Sequence, residues 1–393
     1  MSFLLNLLCL LLPLAILPGV ISAGTMPRWV VLALLLPAML WWVDWRRVPH
    51  KGILLGILLY SVASLFWMEV RLDGYLELWH LVLLLVAFSV GAVCGNLEKP
   101  LTLMAITVAI TLPAVALQSL GYSGVPQTAP PAGLFLNKNV LAETAAVLLI
   151  AMIYLRNWAL VIPLLIITVL AREKAAYAGM AVAMITYLWP RSPRLAGAVL
   201  AIGMVLLAAF VGSLSATERF DIWLDTWQGT KWYGNGIGSY FTVFPASATH
   251  YDVLTIRPEY AHNEFLHVLF EYGIGSIGFL LLTIYALRGS RELERLIFVS
   301  ILAVSLFAFP LHMPITAFLA ALVAGRLCSS GPDRLHASQW LPGPHRIESG
   351  ANGTGSIIQT SGQRLCTDSA PGSGNYNFPI RSQSTEVAGC HGC

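Results

Sequence analysis

Charged residues are scarce in this chain of 393 residues. Only 11% of the residues are Asp, Glu, Lys or Arg, whereas 57% are hydrophobic. A soluble globular domain carries about 25% charged residues, so this composition excludes an ordinary soluble enzyme. The net charge of +3 is small as well and gives no indication that nucleic acid is a partner. The mean hydropathy of +0.72 instead indicates long segments that lie in lipid.

Cysteines and paired acidic residues are also scarce. The six cysteines are scattered along the chain, without the spacing of a disulfide scaffold. The CxxC at Cys390–Cys393 lacks the second ligand pair of a usual structural zinc site. Asp221 and Asp225 are four residues apart, a spacing that we interpret as the polar face of a helix. The sequence therefore predicts no metal site and no other cofactor.

Long apolar runs are abundant, and they predict an all-α polytopic membrane protein. A membrane-spanning helix needs about 20 mainly apolar residues. The runs predict about twelve such helices, with one large outward loop between the ninth and the tenth. The predicted spans are residues 3–22, 29–43, 52–69, 77–94, 101–119, 140–155, 157–171, 175–190, 195–213, 263–287, 292–310 and 313–327.

Basic residues in the short loops predict the orientation, because they concentrate on the cytoplasmic side of a membrane. One side of the predicted layout holds Arg46, Arg47, Lys51, Lys99, Arg156, Arg191, Arg194, Arg288, Arg291, Arg295 and Arg326. We expect this side and both termini to face the cytoplasm. The other side holds fewer basic residues. Basic residues on the outward side are unusual under this rule, so each is a candidate for a functional role. They are Arg71, Lys138, Arg172, Lys174, Arg219, Lys231 and Arg257.

Two hydrophilic segments define the domain organisation. Residues 214–262 are rich in Trp, Tyr and Gly, and we expect them to fold as a cap at the membrane interface. Within this loop, residues 218–223 predict the start of an amphipathic helix. Residues 328–393 are rich in Gly, Ser, Pro, Asn and Gln, and predict a disordered cytoplasmic tail. The transmembrane domain is thus predicted to cover residues 1–327.

The densest group of polar side chains closes the long loop. His262 and Asn263 precede an apolar run, and Glu264 and His267 lie within its first helical turns. Histidine is the side chain most easily tuned to accept a proton near neutral pH. His262 is therefore the candidate general base of an outward-facing site, with Asn263 and Glu264 as groups that orient its ring. The alternative is a helix cap with a histidine at the membrane interface.

Cationic side chains form a second candidate group on the same predicted side. Arg172 and Lys174 lie in a short outward turn, and Arg219 lies in the long loop with Trp223 nearby. The planar guanidinium matches phosphate oxygens at two points, so the arginines are candidate phosphate ligands. The alternatives are an interfacial turn whose basic side chains extend towards lipid headgroups and, for Arg219, a solvated loop charge.

Further polar candidates lie on the predicted outward side. Asn137 and Asn139 stand at a helix start, where they act either as caps or as contacts for a sugar or a phosphate. His312 lies in the break between the last two predicted spans, as a site residue or as a structural one. Arg71 lies in the second outward loop and is the least supported candidate.

Glycines form two short patterns in the same region. The glycine-rich turn at residues 234–238 lacks the preceding strand of a nucleotide-binding motif. Gly273, Gly275 and Gly278 are interpreted as packing positions, because small residues let membrane helices approach closely.

These motifs together resemble the signature of the O-antigen ligase and polymerase superfamily. That signature is His-Asn, nine residues and a glycine step, placed after the large periplasmic loop of about twelve helices. The chain departs from it at Ser276, where the family usually has a glycine. It also departs at Ala171-Arg172-Glu173, where the family usually has Ser-Arg-Gly, so that only the arginine is kept. The resemblance covers residues 130–327 by motif and the remainder by topology. The matching positions are His262, Asn263, Gly273–Gly275, Arg172, Arg219 with Trp223, residues 234–238, and Phe309-Pro310.

The resemblance implies a metal-independent, inverting glycosyltransferase with a GT-C-like fold in the bacterial inner membrane. Such an enzyme moves a glycan from undecaprenyl diphosphate to a hydroxyl acceptor at the periplasmic face. By the same resemblance, His262 is the base, and Arg172, Arg219 and Lys174 bind the diphosphate. No cofactor is implied.

Several functions stay open within and outside this superfamily. In an O-antigen ligase, which we favour, the acceptor is the lipid A–core. In a polymerase it is a second lipid-linked repeat, and in a protein O-oligosaccharyltransferase it is a Ser or Thr hydroxyl. A transporter of lipid-linked glycans would instead place ionisable residues deep in its spans and would contain paired broken helices. The polar residues gather at one predicted membrane face, which favours an enzyme.

Overall fold

The apolar stretches fold as helices, whose internal hydrogen bonds satisfy the backbone without water. The computed structural model describes residues 1–17, 22–122, 129–211, 214–253 and 257–330. Every regular secondary-structure element in these ranges is a helix. Short 3-10 helices continue or join the α-helices at Leu12–Leu14, Leu40–Trp42, Gly133–Phe135 and Gly273–Gly275. The α-helices are α1 (Ser2–Leu11), α2 (Met26–Met39), α3 (Lys51–Ser64), α4 (Arg71–Val93), α5 (Glu98–Ala109), α6 (Leu112–Ser119), α7 (Lys138–Tyr154), α8 (Trp158–Ala171), α9 (Lys174–Leu188), α10 (Pro193–Val211), α11 (Leu214–Gln228), α12 (Tyr240–Ser247), α13 (Glu264–Tyr272), α14 (Ser276–Leu287), α15 (Glu292–Val304) and α16 (Pro314–Cys328).

Each of the twelve stretches predicted as a span is helical over most of its length. Two of them are divided. The fifth consists of α5 and α6, which are separated just before Pro113, a residue that cannot donate a helical hydrogen bond. The tenth consists of α13 and α14, which are separated by the 3-10 turn at Gly273–Gly275. The long loop contains α11 and α12, so the helix predicted within it is present, but it begins at Leu214 rather than near residue 218.

Length separates three apolar helices from the others. Arg71–Val93 is 23 residues long. Counted across their internal breaks, Glu98–Ser119 (α5 and α6) and Glu264–Leu287 (α13 and α14) are 22 and 24 residues long, and all three are apolar enough to cross a membrane. The shorter apolar helices include α8, with 14 residues. At 1.5 Å per residue this is about 21 Å, less than the ~30 Å of a hydrocarbon core. The structure thus shows an all-helical protein with three long apolar helices, and the twelve crossings stay a prediction.

The core lies around α7 and α16, which are buried on nearly all sides. A helix that is apolar all round belongs inside a bundle. α4 packs most closely on α16, because two glycines face the other helix's backbone. A Cβ on Gly91 would lie 1.9 Å from the Leu322 carbonyl oxygen, and one on Gly325 would lie 1.9 Å from that of Phe88. Only glycine permits these two contacts.

Contacts between distant residues define the two ends of the bundle. One end holds the candidate site residues and is called the site end; the other is called the opposite end. At the opposite end, Arg191 pairs with Glu292 (2.7 Å) and Arg326 pairs with Glu294. At the site end, the Leu311 amide donates to Glu264 at the start of α13 (2.6 Å). The starts of α4, α7 and α9 also lie there. The candidate residues predicted to face outwards therefore share one end.

The described helices belong to one structural unit within residues 1–341. α16 ends at Cys328, and the described residues end at position 330. The tail predicted for residues 328–393, with its terminal CxxC, therefore lies almost entirely outside the described residues.

Candidate functional site

Asn263 begins α13, as the alternative interpretation of the loop end predicted. Its Oδ1 accepts a hydrogen bond from the Leu266 amide (3.1 Å), which satisfies one of the unpaired donors at a helix start. The predicted cap is therefore confirmed, and the Asn263 oxygen is engaged by the helix. Asn263 supports the site by fixing where the helix begins.

Glu264 joins α13 to the turn between α15 and α16. The side chain is buried, and its Oε1 accepts from the Leu311 amide (2.6 Å). The Nδ1 atom of His312 lies 3.0 Å from the carboxylate. The sequence predicted that Glu264 orients His262, but its described partners lie 47 and 48 residues away in the α15–α16 turn. Glu264 thus positions His312 and the turn.

His262 lies immediately before α13 in a left-handed backbone conformation, with φ of +52°. Its ring packs edge-on against Phe309, with centroids 5.1 Å apart. Burial, followed by the positive charge of Arg219, lowers the pKa of His262 to about 4. The imidazole is therefore neutral at pH 7, with a nitrogen able to accept a proton.

α11 holds the backbone next to His262 and the backbone of the turn after α15. Arg219 Nη1 donates to the Phe307 carbonyl oxygen (3.0 Å), and Trp223 Nε1 donates to the Ala261 carbonyl oxygen (3.0 Å). Arg219 is partly buried, and its charge acts on His262. The structure therefore brings together the Arg219, Trp223 and His262 predicted from the sequence.

The turn between α8 and α9 places two other predicted cations at the surface. Arg172 and Lys174 are exposed, and Arg172 has a left-handed φ of +53°. Glu173 between them is buried and caps α9 through the Ala175 amide (3.3 Å). Ala175 packs in a small cluster with Phe307, whose carbonyl receives Arg219. The turn therefore lies next to Arg219, and its Arg172 and Lys174 side chains lie at the protein surface.

Asn137 and Asn139 lie at the start of α7. Asn137 Oδ1 accepts from the Asn139 amide (2.9 Å), so Asn137 is the helix cap that one interpretation predicted. Asn139 Oδ1 is buried and has no hydrogen-bond partner among the described residues. One turn further on, Glu143 is buried, and its carboxyl lies within electrostatic range of Glu173, Glu264 and Arg219.

Sequence reasoning missed Glu143, although a signal for it was present. A single acidic residue in an otherwise apolar run is costly in a membrane helix and marks a functional site by default. Glu143 interrupts such a run, which continues from Val140 to Tyr154. The structure places its carboxyl near the Arg219 and Glu264 side chains.

A cavity of about 210 Å³ opens at the site end, between the start of α4, residues 238–241 and α13. Acidic side chains dominate its polar lining, with Asp73, Glu77, Glu259 and Glu271. His312 lines it too, as predicted for an outward site residue. Arg71 is exposed two residues before Asp73, so the predicted Arg71 stands near the cavity and is not among its lining residues.

Two histidine–carboxylate pairs stand side by side at this cavity, and the histidine of each pair lines it. His267 Nε2 lies 3.3 Å from Glu271, and the rings of His267 and His312 are 4.3 Å apart. Burial lowers the pKa of His312, but the charge of the Glu264 carboxylate outweighs it and raises the pKa to about 9. His312 is therefore protonated at neutral pH, unlike His262.

The two glycine patterns meet each other. The Gly236 amide donates to the Glu271 carbonyl oxygen (2.9 Å), and the Ile274 amide donates to that of Trp232 (2.8 Å). Gly273 has a φ of +50°, and a Cβ there would lie 2.3 Å from the Gly234 nitrogen. Gly275 and Gly278 pack against α3, as the packing interpretation predicted. Gly273 instead lets the loop at Trp232 and Gly234 contact the junction between α13 and α14.

No three His, Cys, Asp or Glu side chains within the described ranges are arranged to hold a metal ion. Compared with known proteins, the whole chain matches no family model and no curated protein.

Proposed function

We propose that this protein is a polytopic transferase of the bacterial inner membrane. It moves an O-antigen-type glycan from undecaprenyl diphosphate to the lipid A–core, as an O-antigen ligase does. The site end faces the periplasm, and both termini face the cytoplasm. The observation that carries the proposal is the partly buried Arg219 beside a neutral His262, held together by α11 and the turn after α15.

Exposed apolar side chains support the membrane setting. They occur on helices shorter than a standard span, such as Leu34 on α2 (70% exposed), Leu59 on α3 (58%) and Ile162 on α8 (61%). Soluble monomers rarely expose large contiguous apolar patches. Lipid would cover these side chains, and local thinning of the bilayer accommodates short helices at modest cost.

The chemistry of glycan transfer suits the paired Arg219 and His262. The leaving diphosphate develops negative charge, which a fixed cation in a poorly solvated site stabilises. The acceptor hydroxyl is a weak nucleophile, and a neutral imidazole takes its proton as the new glycosidic bond forms. Arg172 and Lys174 are exposed at the same end and extend the positive surface available to the diphosphate.

Other members of the same functional class use the same site with a different acceptor. A lipid-linked repeat would make the protein a polymerase, and a Ser or Thr hydroxyl would make it a protein O-oligosaccharyltransferase. A transporter is less well supported, because His262, Arg219, Arg172 and His312 gather at one end of the bundle rather than at its middle.

The test is transfer by purified protein supplied with an undecaprenyl-diphosphate-linked glycan and lipid A–core. Glycosylated lipid A–core is expected, with and without a metal chelator. Product only with a second lipid-linked repeat indicates a polymerase. Activity that a chelator removes and Mg²⁺ restores contradicts the metal-independent mechanism. No product with any hydroxyl acceptor contradicts the proposal as a whole.

A further inference from the structure

The cavity beside His267 is lined by acidic side chains and is distinct from the candidate base and its cations. Its four carboxylates, Asp73, Glu77, Glu259 and Glu271, face two histidines, and neither Arg219 nor Arg172 lines it. A surface with this charge repels a diphosphate, since like charges placed together are unfavourable. The occupant that fits is uncharged or cationic.

Glu271 shows that the cavity can bind a hydrogen-bond donor. The residue is 4% exposed, and its Oε1 receives both described contacts, from the Tyr240 amide (3.2 Å) and from His267 Nε2 (3.3 Å). Its second oxygen, Oε2, has no partner among the described residues. An ionised carboxylate accepts hydrogen bonds and donates none. An oxygen in the lining of a cavity can accept a hydrogen bond from a donor such as a hydroxyl group.

The remaining walls fit a ring with apolar faces. Tyr240 and Tyr260 line the cavity beside Phe241. Tyr240 is buried and stacks on both His267 and Phe244, with centroids 4.6 and 5.0 Å apart, so its ring is a rigid part of the wall. Phe241 is exposed and is the aromatic side chain of this wall that a ligand can reach. An exposed aromatic side chain such as Phe241 packs against the apolar C–H groups of a sugar, while polar groups bind its hydroxyls. The volume of about 210 Å³ is below the roughly 300–1,000 Å³ of pockets for drug-sized ligands, which indicates one ring rather than a chain.

The cavity also lies next to the candidate reaction centre. The Phe309 ring contacts both Tyr260, with centroids 4.5 Å apart, and His262, at 5.1 Å. Tyr260 lines the cavity and His262 does not. Two aromatic rings, those of Tyr260 and Phe309, therefore lie between the cavity and the candidate base. A glycan longer than one sugar can occupy the cavity with one ring and place a hydroxyl or an anomeric carbon of another ring near His262.

We infer that this cavity binds one pyranose ring of a glycan substrate, with Glu271 accepting hydrogen bonds from its hydroxyls. The inference rests on the proposed function. The pyranose belongs either to the acceptor or to the donor glycan, because both carry the same hydroxyl chemistry.

The first test measures binding without turnover. Purified full-length protein is titrated with methyl glucoside and separately with pyrophosphate, and binding is followed by saturation-transfer NMR. Glu271→Gln keeps the shape of the side chain and removes its charge, and Glu259→Gln does the same at the exposed rim. Glu69→Gln, an exposed glutamate outside the cavity, is the matched control.

Glu271→Gln is expected to weaken glucoside binding by about tenfold, as for a lost charge-assisted hydrogen bond, and Glu259→Gln by less. Pyrophosphate binding is unchanged in both, and Glu69→Gln behaves as wild type. Unchanged glucoside binding in the two cavity variants overturns the inference. If Glu271→Gln does not fold, the Glu259→Gln result decides.

The second test uses transfer kinetics to identify the source of the pyranose. If Glu271→Gln raises the KM for the acceptor alone, the cavity binds the acceptor. If it raises the KM for the donor alone, the cavity binds the donor glycan. Unchanged KM values for both overturn the cavity inference and leave the transferase proposal standing. Glucoside binding that depends on Glu271, in a protein that transfers no glycan, supports the sugar site and overturns the transferase proposal.

Discussion

His262 and His312 are two histidines at one end of the bundle with opposite charge states at pH 7. Burial and Arg219 lower the pKa of His262 to about 4, whereas Glu264 overcomes burial and raises that of His312 to about 9. A bound diphosphate beside His262 would raise its pKa, because a nearby negative charge favours the protonated ring. The anionic donor would thus make His262 a stronger base only once it is bound.

Replacement of His262 by Gln should abolish transfer and leave donor binding largely intact, because in the proposed function the arginines bind the diphosphate. In wild type, kcat/KM reports the free protein. It should stay level from pH 7 to about 5 and fall as the pH drops through about 4, where His262 becomes protonated. The measurement is turnover across this range beside a donor-binding assay. Turnover of His262→Gln within a few-fold of wild type removes His262 from the role of base.

Arg219 and Arg172 should differ in how strongly they affect activity. Arg219→Lys keeps the charge but loses the planar fork that donates to Phe307, and a drop of about 10- to 100-fold in kcat/KM is expected from a lost charged hydrogen bond. Arg172→Lys should lower activity less, because exposed charges are screened by salt. The exposed Arg194→Lys at the opposite end is the control. Equal activity of Arg219→Lys and wild type would exclude Arg219 from the diphosphate site.

At the scale of helices and turns, local signals in the sequence predicted much of the structure. Apolar runs predicted the helices, and Asn263 before Glu264 predicted the start of α13. The pairing of Glu264 with His312 was not predictable, because 48 residues separate them and only the packing of α13 on the α15–α16 turn joins them. The cavity escaped prediction for the same reason, since Asp73 and Glu271 come from distant helices.

Gly273→Ala should destabilise the junction between α13 and α14. The left-handed φ of +50° strains any residue with a Cβ, and this Cβ would lie 2.4 Å from the Trp232 carbonyl oxygen. A loss of more than about 1 kcal/mol is expected, measured as a lower Tm in detergent. Gly56→Ala on α3 is the matched control, because nothing lies within 4 Å of a Cβ there. Equal Tm values for the two variants would contradict the structural role of Gly273.

At the scale of the whole molecule, composition predicted a helical protein with a large apolar surface, but composition alone does not determine how many helices cross the membrane. Three helices are long enough to cross a membrane by themselves. The shorter ones lack this length and carry exposed apolar side chains such as Leu34 and Ile162. In the proposed membrane setting, the short helices would cross only where the bilayer thins to match their length.

Truncation after Ser330 should leave membrane insertion and transfer intact. The tail has too little apolar content to form a core of its own, and α16 already ends at Cys328. The measurements are the amount of protein in the membrane fraction and the turnover of the truncated chain. Loss of both would show that residues beyond 330 are needed for folding of the helical unit.

The proposed orientation of the bundle predicts which of its surface positions an impermeant reagent can reach. Glu69 and Glu218 are exposed at the site end, and Asp44 and Arg194 are exposed at the opposite end. Single cysteines at these four positions, in a cysteine-free background, are treated with a membrane-impermeant thiol reagent on spheroplasts. Cysteines at 69 and 218 should react at once. Those at 44 and 194 should react only after permeabilisation, because basic loops stay in the cytoplasm. The reverse pattern would place Arg219 and His262 in the cytoplasm and exclude a periplasmic transferase, and labelling at all four positions would exclude the membrane topology itself.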